Sequence, residues 1–151
     1  MVGKRAVNAK VLSNGAARLV WAVPVHFEKL PGLTVSVDKV LYDPTRPAPP
    51  DRPHPFIYYL SIHNESDEPV NIFGRKWIVR DMEGDTLVVE GDGVVGQFPR
   101  IEPGETFSYN SYHVIKADST ATGSFFGRTD GGKPVCARIP NFDMTTPPML
   151  A

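Results

Sequence analysis

Thr86-Leu87-Val88-Val89-Glu90-Gly91-Asp92-Gly93-Val94-Val95-Gly96-Gln97-Phe98-Pro99 is the run on which the fold of this chain turns. Five strand-forming residues lead into Gly91-Asp92-Gly93-Val94-Val95-Gly96, which satisfies the G-x-G-x-x-G spacing of dinucleotide-binding loops. That chemistry requires a helix to open after the third glycine, so that its free N–H groups and dipole hold a pyrophosphate. Pro99 and then Pro103-Gly104 forbid the helix, and Asp92 places a negative charge inside the loop. The glycines are therefore expected to serve a positive-φ connection between strands and a close backbone approach. A backbone nest for an anion is the alternative use of the same residues.

Strand signals extend outward on both sides. Val70–Asp81 carries Trp77 and Val79 on one face with Ile78 opposed, so apolar contact is expected on both faces, and Trp77 is expected to anchor the core between sheets. Met82-Glu83-Gly84-Asp85 turns the chain back. Further upstream, Phe56, Tyr58, Leu60 and Ile62 alternate with Ile57, Tyr59, Ser61 and His63, and Leu33-Thr34-Val35-Ser36-Val37 repeats the two-residue period. Downstream, Gln97–Ile101 reads as a short strand, Pro103-Gly104-Glu105 as a corner, and Thr106–Tyr112 as the strand leaving it. Tyr109 is expected to act structurally, its hydroxyl bonding nearby backbone as in the tyrosine corner of sandwich domains. Asp130-Gly131-Gly132-Lys133 joins Thr122–Phe126 to Val135–Ile139 as a hairpin. No stretch shows a sustained helical period. The expected fold is all-β, an immunoglobulin/fibronectin type III-like β-sandwich of about seven antiparallel strands.

Six prolines between Asp43 and Pro55, at 44, 47, 49, 50, 53 and 55, predict an exposed loop of polyproline character, with a P-x-x-P spacing from Pro47 to Pro50. Residues 1–30 are expected to be an N-terminal extension containing an edge strand near 19–25, residues 31–145 the sandwich, and residues 146–151 a tail. At 151 residues one domain with one core fits, and fifteen prolines with thirteen glycines argue against a helix-rich architecture.

Sixteen basic against seventeen acidic residues give a net charge of -1, which supplies no electrostatic drive toward nucleic acid. The longest apolar run, Leu19–Val23, is far shorter than the roughly 20 residues of a membrane helix. Cys136 is the sole cysteine, so neither an internal disulfide nor a cysteine-rich zinc site forms, and a reducing, cytoplasmic setting is expected. With Val135 and Ala137 beside it, its thiol reads as a small core residue. Four histidines lack H-x-H or H-x-x-x-H spacing, so no metal site and no cofactor are expected, although His63, His113, Asp81, Glu90 and Asp92 are the residues that would have to converge for one. No G-x-S-x-G motif or other placed nucleophile is present, so no catalytic residue is named.

Several motifs in order, from Tyr59 to about Phe142, resemble those of the ApaG family (DUF525). They are Asn64-Glu65-Ser66-Asp67-Glu68-Pro69-Val70, then Arg75-Lys76-Trp77-Ile78-Val79-Arg80-Asp81, then Glu90-Gly91-Asp92-Gly93-Val94-Val95-Gly96. Pro99, Ile101-Glu102-Pro103-Gly104-Glu105-Thr106-Phe107-Ser108-Tyr109 and Gly123-Ser124-Phe125 complete the set. The resemblance implies a fibronectin type III or immunoglobulin-like sandwich and an association with cobalt and magnesium resistance or efflux. It also implies partner recognition, because eukaryotic versions are appended to F-box proteins and to a DNA polymerase-interacting protein. Gly74-Arg75-Lys76-Trp77 and Ser111-Tyr112-His113-Val114-Ile115 depart from the family's usual Ser-Arg-His-Trp-like and Ser-Gly-Cys-Pro-Leu-like runs. Chemistry tied to that histidine or cysteine does not transfer.

The expected function is a non-enzymatic module that recognises an unidentified protein partner within a family tied to divalent-cation homeostasis. Arg75, Lys76, Gly91, Asp92, Gly93 and Gly96 are the candidate contact residues, and Trp77, Pro103, Gly104 and Tyr109 the structural ones. The alternative is a small-ligand binder, for nucleotide pyrophosphate or a divalent cation, at Gly91–Gly96. Self-association into a homo-oligomer is a further option; nucleic acid and membrane are not expected as partners.

Overall fold

The computed structural model describes residues 26–148, and every regular element among them is a strand. In chain order these are β1 (Glu28–Lys29), β2 (Leu33–Tyr42), β3 (His54–Asn64), β4 (Val70–Asp81), β5 (Thr86–Asp92), β6 (Arg100–Ile101), β7 (Thr106–Ile115), β8 (Ser119–Thr129) and β9 (Pro134–Met144). One sheet has the order β1-β9-β8-β4-β5, with β6 prolonging the line of β5 along β4, and the other has the order β2-β3-β7. The seven long strands pair antiparallel, so the expected all-β sandwich is what forms. Two-residue β1 runs parallel to β9 and reaches β2 of the opposite sheet through a β-turn in which Leu33 N donates to Leu30 O. The possible strand at residues 19–25 and most of the N-terminal extension lie outside the described residues. From Phe27 onward the chain is packed on the sandwich: Phe27 lies against Phe73 and Phe126, and Leu30 is buried.

Alternation along the strands fills the space between the sheets. Phe56, Tyr58, Leu60 and Ile62 of β3 face Ile72, Trp77 and Val79 of β4, Phe125 of β8 and Ile139 of β9, all buried. A bulge in β4 between Ile72 and Gly74 shifts the register against β8. Val70 and Ile72 point inward before it and Trp77 and Val79 after it, so one inserted residue changes which parity of the strand is core. Trp77 is 1% exposed and touches Tyr58 and His113 of the opposite sheet and Phe142 of its own. Gly123, opposite Trp77 in register, leaves room for it: a Cβ there would press on the Lys76 carbonyl and the indole ring.

The turns are tied from inside by Asn64, which is fully buried. Its Nδ2 donates to the carbonyls of Glu68 (2.8 Å) and Ile101 (2.9 Å), and its Oδ1 accepts from Ser66 N and Oγ. Its backbone closes the next corner, where Gly104 N donates to Asn64 O and Asn64 N to Glu105 O. That corner is a β-turn with Pro103 at its second position and Gly104 at φ 86° at its third.

Two expectations are corrected. The Asp43–Pro55 segment is not one polyproline run but two β-turns, Arg46 N bonding Asp43 O and Arg52 N bonding Pro49 O, with His54 and Pro55 already in β3. Proline's fixed φ suits the second position of such turns as well as it suits polyproline II, and Pro44 and Pro50 occupy it. Cys136 is not a core residue. Val135 and Ala137 are buried, so alternation turns the thiol to the outer face, where it lies half-buried beneath the Phe27 carbonyl.

Candidate functional site

The Gly91–Gly96 stretch divides into two parts. Gly91 and Asp92 still belong to β5, whereas Gly93, Val95 and Gly96 take positive φ of 63°, 49° and 78°. Val94 N donates to Gln97 O (2.7 Å) and Gln97 N to Val94 O (3.0 Å), which closes a two-residue hairpin with Val95 and Gly96 at its tip. Positive φ at both tip residues is the type I′ geometry, whose twist matches that of the flanking strands. Gly93 N donates to Phe73 O, so the amides of Gly93, Val94 and Gln97 are all committed to backbone carbonyls. A Cβ on Gly93 would overlap the Gln97 carbonyl oxygen. Val94 is fully buried and acts as the hairpin's plug, while Val95 is 50% exposed and Phe98 64% exposed.

Arg75 and Lys76 lie beside this hairpin but point differently. Arg75 pairs with Gly91 in register and lays its guanidinium over that glycine, donating to the carbonyls of Asp92 (3.0 Å) and Gly93 (3.2 Å). It therefore fastens the base of the hairpin. Lys76 stands opposite Glu90 on the other side of the sheet. The structure thus brings Arg75, Gly91, Asp92 and Gly93 into direct contact, with Gly96 at the tip and Lys76 adjoining.

Inward of Arg75 lies an aromatic cluster of Tyr58, Trp77, Tyr109 and His113. Burial pushes the Tyr58 phenol up, opposed in part by Ser111 and by the Arg75 charge. Burial likewise pushes up Tyr109, reinforced by Tyr58, and it lowers His113 from 6.5 to about 4, leaving a neutral imidazole in the core. The Tyr109 hydroxyl has no hydrogen-bond partner among the described residues, so the expected tyrosine-corner bond is not made. The reason is position: Tyr109 sits in the middle of β7 opposite Leu60, not at a strand entry, and it packs on Phe107, Phe125 and Tyr58.

On the outer face of the three-stranded sheet, Ser36, Asp38 and His63 meet. Ser36 Oγ lies 2.8 Å from His63 Nε2 and donates to Asp38 Oδ1 (2.7 Å), while Ser61 donates to Asp38 Oδ2 and Thr106 pairs with His63 Nδ1. A hydrolytic triad needs the carboxylate on the imidazole, to orient it and to stabilise its charged form. Here the carboxylate is taken by two serines, which hold Asp38 below the usual carboxylate range, and the imidazole's second nitrogen meets a hydroxyl. The order of the relay is wrong for activating Ser36. Among the described residues no three His, Cys, Asp or Glu side chains are grouped to hold a metal ion, and no helix is long and apolar enough to cross a membrane.

A cleft of ≈ 220 Å³ opens between the outer edges of β5 and β7, with which no described strand pairs; Val79, Leu87 and Ile115 are its apolar lining and Asp51, Arg52, Asp81, Asp85 and Lys116 its charged lining. Lys116 is shared by Asp81 (3.8 Å), Glu83 (3.3 Å) and Asp85. These residues come from four separated parts of the chain, so spacing alone could not have grouped them.

Fold and site together define a two-sheet β-sandwich with a glycine-built hairpin projecting from the end of an edge strand. The ApaG domain model (DUF525) matches residues 44–128, and the chain belongs to that family. It is 38% identical over 106 residues to the ApaG protein of Anaeromyxobacter sp. (strain K), covering 67% of this chain and 85% of that one. Against the ApaG protein of Salmonella arizonae it is 32% identical over 121 residues, covering 80% and 96%. The crystal structure of an ApaA protein from Bordetella pertussis superposes with a TM-score of 0.69 at 33% identity, covering 83% of this chain and 100% of that one.

Proposed function

We propose that this ApaG-family domain is a non-enzymatic module that recognises a protein partner through the 93–98 hairpin, with Arg75 and Lys76 beside it. The observation that carries this reading is the hairpin tip: Val95 sits at φ 49° and 50% exposed, next to Phe98 at 64% exposed. A β-branched residue in that region of φ is strained, and such strain persists where the display of the side chain has a use. Apolar and aromatic groups rimmed by charge are the material of interface hot spots. The three-plus-four strand order reads as fibronectin type III-like, a rigid scaffold that presents loops and edges. Within a family associated with cobalt and magnesium homeostasis, we place this domain's part at a protein contact in the cytoplasm, where a lone thiol stays reduced.

Pyrophosphate or a divalent cation at Gly91–Gly96 is the competing reading. It is disfavoured because the amides of Gly93, Val94 and Gln97 already have carbonyl partners and Arg75 already covers the Asp92 and Gly93 carbonyls. Affinity capture with the wild-type domain and with Phe98→Ser and Lys76→Ala variants tests the proposal. Capture of a specific protein that both variants lose at unchanged thermal stability supports it. Saturable calorimetric binding of ATP, Mg²⁺ or Co²⁺ to the domain, lost in a Gly96→Val variant that stays folded, would replace it with the small-ligand reading.

A further inference from the structure

We infer that the outer edge of β5 (Thr86–Asp92) accepts an extended segment of a partner protein as an added strand, the segment carrying alternating apolar and basic side chains. This rests on the protein-partner reading and specifies which surface of the sandwich receives the partner and what chemistry it presents.

Sandwich edges invite pairing unless they are short, bulged, charged inward, capped by proline or covered. Three of the four edges here are guarded. β2 has a bulge between Val37 and Lys39 with Asp38 at its centre. β9 contains Pro134 and Pro140 and is met by β1. β7 is flanked at its end by the 43–55 segment, whose Arg46 stacks on Tyr112 at 4.6 Å and whose Asp51 and Arg52 stand beside Val114 and Ile115. β5 has no proline, no lysine and no bulge, and no described strand pairs with its outer edge. In an edge strand half the backbone N–H and C=O groups point away from the neighbour and remain open to another strand.

The side chains around that edge select the occupant. A strand laid along β5 alternates its side chains between the two faces of the sheet. Those turned inward meet Leu87, Val79 and Ile115, the apolar side of the ≈ 220 Å³ cleft whose far side carries Asp51, Arg52 and Lys116, and that apolar side suits an aliphatic residue. Those turned outward run past Val88, Glu90 and Asp92, with Glu83 at the preceding turn. Lys116 is shared among Asp81, Glu83 and Asp85, and the cations of β4 on that face, Lys76 and Arg80, stand one strand further in, opposite Glu90 and Thr86; the row on β5 itself carries Glu90 and Asp92 with no basic residue, so a strand laid beside it meets acid first and favours lysine or arginine. Backbone pairing supplies affinity and the alternating pockets supply specificity, as in other strand-addition complexes.

The probe is a capped heptapeptide of alternating valine and lysine, titrated into the full chain and followed by amide NMR shifts and hydrogen exchange. Protection of the 86–92 amides with saturable binding is expected. Methylating alternate peptide nitrogens should abolish it, and a Glu90→Lys/Asp92→Lys double variant should weaken it by about tenfold. A valine–glutamate peptide should bind the wild type more weakly than the lysine peptide. Absence of binding, binding indifferent to N-methylation, or protection at β2 or β7 in place of β5 would overturn the inference. If a protein captured through Phe98 is retained by the double variant, the broader partner reading stands and the β5 edge is excluded.

Discussion

Replacing Val95 by asparagine should make the protein more stable. Val95 is a β-branched residue at φ 49° in the tip of a two-residue hairpin whose second residue is Gly96 at φ 78°. Holding an L-residue in the left-handed region costs about 1–2 kcal/mol, and branching at Cβ places valine at the upper end of that range. Asparagine enters the region readily, and Asn-Gly is the preferred pair for this turn. Against the gain stands the loss of an apolar side chain that is 50% exposed, worth about 0.5–1 kcal/mol by area. The net expectation is about 1 kcal/mol, or a rise of about 2–4 °C in Tm for a chain of this size. Urea unfolding followed by Trp fluorescence measures it, with Val95→Ile as the control that keeps both strain and apolarity and should leave the midpoint unchanged. The reasoning fails if the Val95→Asn variant unfolds at the same or lower urea concentration than wild type. If the strain is maintained for display, as proposed, the stabilised variant should also capture partner less well.

Gly93→Ala should destabilise by about 3–5 kcal/mol, since positive φ and overlap with the Gln97 carbonyl add to the loss of the hairpin's two cross-bonds, and equilibrium unfolding will read it. Trp77→Ala should cost about 3–5 kcal/mol by emptying the centre of the core, with Trp77→Phe costing less, measured the same way. Asn64→Ala should cost about 3 kcal/mol, because two buried carbonyls and one serine lose their partner together. His113 gives a pH dependence of defined sign. Its folded value of about 4 lies below the unfolded 6.5, so the folded state binds fewer protons between them. Stability is therefore full above about 6.5 and falls as the pH drops toward 4, by up to about 3 kcal/mol at about 1.4 kcal/mol per unit. Urea midpoints at stepped pH should show this slope, and a His113→Phe variant should flatten it. The hydrogen-bonded carboxylates Asp38 and Asp118 are lowered and so act only at more acid pH.

The residues that announce strands do so through local chemistry. Phe56, Tyr58, Leu60 and Ile62 share a face because the pleat has a period of two, and all four are buried as that period requires. Asp130-Gly131-Gly132-Lys133 reads as a turn, and Thr129 N bonds Lys133 O across it. Pro99 and Pro103 exclude a phosphate-binding helix after Gly96, and a hairpin stands there instead. The placement of Cys136 was legible by the same period, given that Val135, Ala137 and Ile139 form the inward row. The six prolines between Asp43 and Pro55 read as polyproline and form two turns, because proline's fixed φ serves a β-turn and a polyproline helix equally well.

The sheet each strand joins was a tertiary decision. Local pattern distinguishes a half-buried strand from a helix, but β4 pairing with β8 and β3 with β7 depends on crossovers between sheets that no short window contains. The bulge at Phe73 that rotates Arg75 onto Gly91, the tyrosine hydroxyl without its corner bond, and the cleft gathering Asp51, Lys116 and Leu87 all follow from that pairing. Composition, period and turn chemistry determined an all-β chain with a tryptophan-centred interior, because those properties act over a few residues. The β5 edge that no described strand pairs with, and the acidic row beside a cleft of mixed apolar and charged lining, were decided only when distant segments were folded against one another, because side chains far apart in sequence become neighbours only through long-range packing.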